Sequence, residues 1–384
     1  MKKKVCVVTG TRAEYGLLRP VIEKINNDVE LELQLVATGM HLSPEFGLTY
    51  KEIERDGYKI DERVEMLLSS DTAVGISKSL GLGIIGFADV YEILKPDMIV
   101  LLGDRFEIFA ATSAGMVAGV PISHIHGGET GAGTIDNMLR HAITKFSSFH
   151  FTSTEPYRKR VIQLGENPDT VFNVGSLGVE NIKNLKLLSK VELEKELNFI
   201  IDNKTVLVTF HPLSLEPHLA KDEFNEILKA FDKIEGLRVI FTKSNSDTGG
   251  RIINKMIDDY VVENPNTTIS FSSLGTLRYL SAAKYVKTVV GNSSSGIIEV
   301  PSLNTYTLNV GKRQEGRIQG DSIYNCNPVA EDVYRCLSLI IDAPKLSKVN
   351  NPYEKSNTSL NITSIIKEKI ILNKYEKKFY DIEF

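Results

Sequence analysis

Two doubly wound α/β domains are predicted for this chain, on three observations. Its 384 residues exceed what one hydrophobic core usually fills. Short apolar runs alternate with stretches of helical spacing, first up to residue 174 and again from residue 205. Between the two series, residues 181–203 are polar and lysine-rich, which places a domain boundary there. The chain is therefore divided into residues 1–180, residues 181–361, and an amphipathic stretch, 362–384, expected to pack back on the first domain.

Composition narrows the function classes. Hydrophobic residues make up 42% and charged residues 24%, as in ordinary soluble domains. A net charge of −4 gives no bulk attraction to nucleic acid or anionic lipid, so neither is expected as a partner and any anion must be held by a local pocket. The start, MKKKVCVVTG, has too short an apolar run for a signal peptide, and no run of 18 apolar residues is present, so no membrane span is expected. Cys6, Cys326 and Cys336 lack disulfide or metal-ligand spacing, which fits a reducing cytoplasm.

In the first series, residues 4–8 read as a strand running into TGTRAEYG, with Arg12 in the turn. Residues 17–25 then have helical spacing, with Pro20 at an early helical position. Residues 31–36 form the next strand, and His41 lies beyond its end. The apolar run MIVLLG stops at Asp104-Arg105, a helical stretch covers 106–118, and a second run, PISHIHGG, ends in histidines and glycines. This is a βαβ pattern, and in an open parallel sheet the carboxyl ends of such strands line the ligand crevice. Asp104, Arg105, His124, His126, Glu129 and Asp136 all fall at or near that rim. Strands at 149–152 and 170–174 flank a helix at 155–164. The second series has strands at 205–210, 237–242, 268–271, 287–291 and 305–310, with helices such as 223–234 and 274–283 between them.

The segment Gly81-Leu-Gly-Ile-Ile-Gly86 matches the dinucleotide fingerprint letter for letter, but it lies inside a run of mostly helical spacing, 73–94, with no strand leading into it. Its glycines read as small residues that let helices approach closely.

Several strand ends carry candidate chemistry. In GNSSSGIIEVPS a strand stops at Gly291, and Ser293 and Ser294 open an apolar stretch, a pattern suited either to phosphate at a helix start or to a plain serine cap. Glu299 further on has the acceptor geometry for a ribose. His211 directly follows a strand, Asn245 and Asp247 follow another as turn formers or base contacts, and Arg313 and Arg317 offer planar positive groups for phosphate oxygens. His124 and His126, two apart on a strand, share a face. With Glu129 and Asp136 they fit acid–base work better than a metal site, because no matching ligand set lies elsewhere. Asp104 and Asp136 are the carboxylates whose environments can set one as base and the other as acid, although Asp136 also reads as a helix cap.

In order along the chain, TGTRAEYG, ATGMHLSPEFG, LGDRFE, HIHGGE with IDNMLRHAITK, FHP, GNSSSGIIEVPS and VGKRQEGR resemble the hydrolysing UDP-N-acetylglucosamine 2-epimerases of bacterial sialic acid synthesis. The likeness runs from Lys4 to the final FYDI. It implies the glycosyltransferase-B architecture, two Rossmann-like domains facing a cleft, and a homodimer or homotetramer, with no cofactor and no metal. The implied reaction takes UDP-GlcNAc and water to N-acetylmannosamine (ManNAc) and UDP. UDP leaves by anti elimination across carbons 1 and 2, and the 2-acetamidoglucal formed is hydrated with inversion at carbon 2.

By position, the resemblance assigns Arg12, Arg105, His211, Asn245, Ser293, Ser294, Glu299 and Arg313 to UDP, and His41 to the sugar site. Asp104, His126 and Asp136 are assigned to proton transfer and the guiding of water, with Glu129 sharing the task. His126 stands where many relatives have glutamate in an HIEGG pattern, which leaves open which group is the base. The nucleotide-feedback residues of the bifunctional animal enzyme are only partly matched around residues 251–258, and no such feedback is expected. A close sibling activity uses UDP-linked diacetylbacillosamine. A glycosyltransferase on the same fold is the alternative of another class, and a nucleotide-sugar sensor without turnover is a third reading.

Overall fold

A computed structural model describes residues 2–70, 72–131, 135–213, 216–244, 249–372 and 377–383. The chain forms two compact units, the first made of residues 1–129, 136–181 and 355–384, the second of residues 130–135 and 182–354.

The first unit is built on seven parallel strands, β1 (Lys3–Thr9), β2 (Leu31–Thr38), β3 (Glu62–Val64), β4 (Met98–Leu102), β5 (Ile122–Ile125), β6 (Phe149–Thr152) and β7 (Val171–Asn173), in the order β3-β2-β1-β4-β5-β6-β7. The second has six, β8 (Thr205–Thr209), β9 (Arg238–Thr242), β10 (Thr268–Phe271), β11 (Thr288–Gly291), β12 (Tyr306–Val310) and β13 (Ile323–Cys326), in the order β10-β9-β8-β11-β12-β13. Both are Rossmann orders, so the fold class expected from the alternation is the one found. Two edge strands, β3 and β13, escaped the sequence reading, because ERV and IYNC are too short and too polar to read as apolar runs.

Helices cover both faces of each sheet, which is why the central strands read as continuous apolar runs. Val5 and Val7 of β1 join one core cluster while Cys6 and Val8 join another on the opposite face, as the two-residue period of a strand requires. In the second unit Val206 and Val208 part from Leu207 in the same way.

One local expectation changes, and the reading of the glycine-rich segment holds. The first helix is Arg12–Asn27, because Thr11 caps it by accepting from Glu14 N, so Arg12 opens a helix and Pro20 sits in its interior. The glycine-rich segment lies within the helix Ala73–Leu94, where Gly83 meets Met66 and Ala110 and Gly86 meets Val64, each too closely for a Cβ. That helix is by length and composition apolar enough to cross a membrane, yet its Phe87, Val90 and Tyr91 fill the core against one face of the first sheet.

The chain re-enters the first unit at Lys355, whose Nζ donates to Asn173 O at 3.0 Å, and Thr358 Oγ1 then donates to Val174 O at 2.9 Å. In the helix Thr358–Leu372, Ile362, Ile366 and Ile370 recur every four residues and enter the cluster that holds Leu18, Ile22 and Ile25 of the first helix.

Candidate active site

In each unit the strand order reverses between the first and fourth strands, and ligands of open α/β sheets bind beyond the carboxyl ends there. In the first unit these are the ends of β1 and β4. Asp104 follows β4, and its Oδ2 is held by Nη2 of Arg140, which projects from the helix Asp136–Phe146. Arg140 is 5% exposed. Its Nη1 also donates to the His126 carbonyl at 2.7 Å and lies 3.8 Å from Glu129 Oε2. Glu129, 1% exposed, accepts from Ser153 Oγ at 2.9 Å and stands 3.8 Å from His126 Nδ1. One guanidinium thus gathers groups from the ends of β4 and β5. Asp136 opens the same helix, one turn before Arg140.

Arg140 was not singled out from sequence. The signal was there: four residues separate it from Asp136, which is one face of a helix.

His126 has a φ of 67°, a left-handed conformation that is costly for a residue with a Cβ. Strand β5 ends at Ile125, so the two-residue alternation that predicted a shared face for His124 and His126 does not extend to position 126. His124 is fully buried, with Nε2 at 2.8 Å from Gly103 O and Nδ1 at 3.1 Å from Thr144 Oγ1. Burial pushes its pKa down to about 3, so it is a neutral structural group. His41 is enclosed likewise. It has no solvent exposure, its Nε2 lies 3.1 Å from Thr9 Oγ1 and its Nδ1 2.8 Å from Thr49 Oγ1, and burial lowers its pKa to about 4. With both ring nitrogens used internally, it props the loop after β2. Arg12 donates through Nε to Glu52 Oε2 and Arg105 through Nε to Glu107 Oε1, both at 2.8 Å.

In the second unit the pair is β8 and β11. Asn292, 2% exposed, ties their ends together: its Oδ1 accepts from His211 N and its Nδ2 donates to His211 O, both at 2.8 Å. The strands meet so closely that a Cβ on Gly291 would stand 2.0 Å from Thr209 O, at a φ of 130° that only glycine adopts readily. His211 Nδ1 lies 3.2 Å from Ser244 Oγ. Arg313 Nη1 and Gln314 Nε2 both donate to Asn292 O, at 3.1 and 2.7 Å. Asn292 and Gln314 were missed in the sequence, although each adjoins a residue that was named.

Ser293 caps the short helix Ser294–Ile298 by accepting from Ser295 N. Glu299 is its C-cap, leading straight into a 3-10 turn, Val300–Leu303. Arg317 Nε donates to Thr130 O at 3.0 Å. Asn245 and Asp247 lie outside the described residues.

Fold and site together define an α/β protein of two Rossmann-like units whose titratable and polar groups collect where each strand order reverses. The family model described as UDP-N-acetylglucosamine 2-epimerase matches residues 23–367, and the chain belongs to that family. A protein of Campylobacter jejuni named as a hydrolysing GDP/UDP-N,N'-diacetylbacillosamine 2-epimerase is 44% identical over 322 residues, 84% of each chain. An Escherichia coli polysialic acid biosynthesis protein, P7, is 39% identical and covers 99% of this chain and 98% of its own. Among solved structures, the UDP-GlcNAc 2-epimerase of Methanocaldococcus jannaschii in complex with UDP-GlcNAc and UDP superposes with a TM-score of 0.80 at 17% identity, over 95% of this chain and 99% of that one, a likeness of fold. The family read from the sequence motifs is borne out.

Proposed function

We propose that this chain is a hydrolysing 2-epimerase of a UDP-activated 2-acetamido sugar. The observation that carries this is the cluster of Asp104, His126 and Glu129 around Arg140. Proton abstraction from carbon 2 needs a base held against a weakly acidic C–H, and buried carboxyl and imidazole groups fixed by a guanidinium meet that need. The bond from carbon 1 to the diphosphate oxygen breaks as the proton leaves, a 2-acetamidoglucal forms, and water and a proton then add to give the free 2-epimeric sugar. In this reading Asp104, His126, Glu129 and Asp136 carry the proton transfers. Arg12, Arg105, His211, Asn245, Ser293, Ser294, Glu299 and Arg313 serve the nucleotide.

Turnover in deuterated water tests the reaction. The expected products are UDP and a sugar carrying deuterium at carbon 2; unlabelled product, or a requirement for an acceptor, ends the reading in favour of simple hydrolysis or glycosyl transfer.

The sugar has two candidates. The C. jejuni relative, at 44% identity, favours UDP-N,N'-diacetylbacillosamine. The family model and the motif resemblance favour UDP-GlcNAc, giving ManNAc. We place the first ahead and expect the higher kcat/KM on it when both are assayed side by side, with the GDP-linked sugar as a third arm.

A further inference from the structure

Behind the end of β1 lie two acidic side chains that this chemistry leaves unused. Glu14, in the first turn of the helix Arg12–Asn27, is 6% exposed, and its Oε2 accepts from Gly10 N at 2.8 Å. Glu107, in the first turn of the helix Phe106–Val117, is fully buried, and its Oε1 accepts from Arg105 Nε at 2.8 Å. Both crowd one glycine. A Cβ on Gly10 would stand 2.5 Å from Glu107 Cγ, and one on Gly39, at a φ of 57°, 3.3 Å from the same atom. Glycine at position 10 lets carboxyl groups from two helices reach one strand end. Their other oxygens, Glu14 Oε1 and Glu107 Oε2, are buried and meet no donor among the described residues. Two buried carboxylates at one strand end repel each other and leave lone pairs unsatisfied, and a proton held by one of them relieves both costs.

We propose that Glu14 and Glu107 form a one-proton pair, Glu14 being the neutral member and the Glu107 carboxylate holding the Arg105 guanidinium, so that both are positioning residues for Arg105.

The surrounding charges agree. Burial first, and then Glu107, push the Glu14 carboxyl up to about 8; Arg105 and the Gly10 amide oppose this, and Asp104 adds to it. His41, packed at the same strand end with its N–H on Gly10 O, is neutral near pH 7 because burial lowers its pKa to about 4, so it brings no compensating charge. Arg12, on the same helix as Glu14, is engaged by Glu52. Above pH 8 the proton passes to solvent and a second negative charge appears beside Arg105, offsetting its positive charge toward an anionic ligand.

That Arg105 serves UDP rests on the function proposed above; the shared proton does not. Wild type, Glu14→Gln and Glu107→Gln are therefore melted across pH 5 to 9 and titrated with UDP by calorimetry. A carboxyl raised from 4.5 to about 8 on folding adds stability that is full below pH 4.5 and lost as pH rises through about 8. Wild-type Tm should fall relative to Glu14→Gln by about 3 °C or more across that window and level off beyond it. Parallel curves overturn the pair whatever the substrate.

UDP affinity should drop above pH 8 in wild type but not in Glu14→Gln, and should weaken about tenfold in Glu107→Gln at pH 7. A Glu107→Gln protein that melts lower yet binds UDP as tightly as wild type overturns the positioning role. Divergent melting curves with no UDP binding at any pH leave the pair standing and reject the nucleotide assignment instead.

Discussion

Arg140→Met is expected to lower kcat/KM by about 10²-fold or more and to destabilise the first unit by about 3–5 kcal/mol. The two effects share one cause. The Arg140 guanidinium meets Asp104 and the His126 carbonyl and stands beside Glu129, so its removal leaves a buried carboxylate uncompensated and frees the loop after β5. Methionine keeps the length and apolar bulk of the side chain, which isolates the charge and its hydrogen bonds from packing. Urea denaturation of the purified variant, with turnover measured well below the transition, checks both. Wild-type activity in a destabilised but folded Arg140→Met protein would remove this cluster from the chemistry. Arg140→Lys is expected to recover more stability than activity, since an ammonium cannot span three partners in a plane.

The second large effect concerns stability alone. Glu166 is 2% exposed and accepts from His150 Nε2 at 2.9 Å, from Lys145 Nζ at 2.6 Å and from Lys377 Nζ at 2.6 Å. Lys377 belongs to the last residues of the chain, where Tyr380 N also donates to Gly165 O at 2.9 Å and the Phe379 ring receives the Lys145 ammonium at 5.0 Å. Although burial opposes it, hydrogen bonds and the charges of these partners hold the Glu166 carboxyl down at about 2.

Because that value is depressed on folding, its stabilisation is present above the ordinary carboxyl value of 4.5 and lost as pH falls through about 2. Glu166→Ala should therefore cost about 3–5 kcal/mol at pH 7, with the gap to wild type closing as pH falls below 4.5. Chemical denaturation at pH 7 and pH 3 reads the difference. Lys377→Ala is expected to cost less, because its side chain is 30% exposed and water replaces part of what it loses.

The sequence was legible where periodicity carries the information. Runs such as MIVLL and TVLVT mark strands buried on both faces, and the residues just beyond them, Asp104 and His211, were found because a strand's carboxyl end is defined by where the run stops. The same logic says nothing of what holds His41 and His124. The ring nitrogens of the first lie against Thr9 and Thr49, and those of the second against Gly103 and Thr144. His126 was placed correctly in the chain, but its positive φ breaks the two-residue alternation on which the reading of its face relied. The tail was expected to pack back through its amphipathic helix, and Ile362, Ile366 and Ile370 do so; the Lys377 anchor has no periodic signature.

By itself, then, the order of residues determined the two doubly wound sheets, the family and the loops that carry polar chemistry, since all of these follow from which positions are apolar and where apolar runs end. Only the tertiary structure decided which polar groups meet. Arg140 finds Asp104 across 36 residues, Asn292 finds His211 across 81, and Glu107 is pressed against Gly10 from another helix. Hydrophobic burial acts on every apolar side chain alike and leaves a periodic record, whereas a hydrogen bond or a shared proton depends on two particular atoms within about 3 Å, a distance fixed only when the strands have been laid in order.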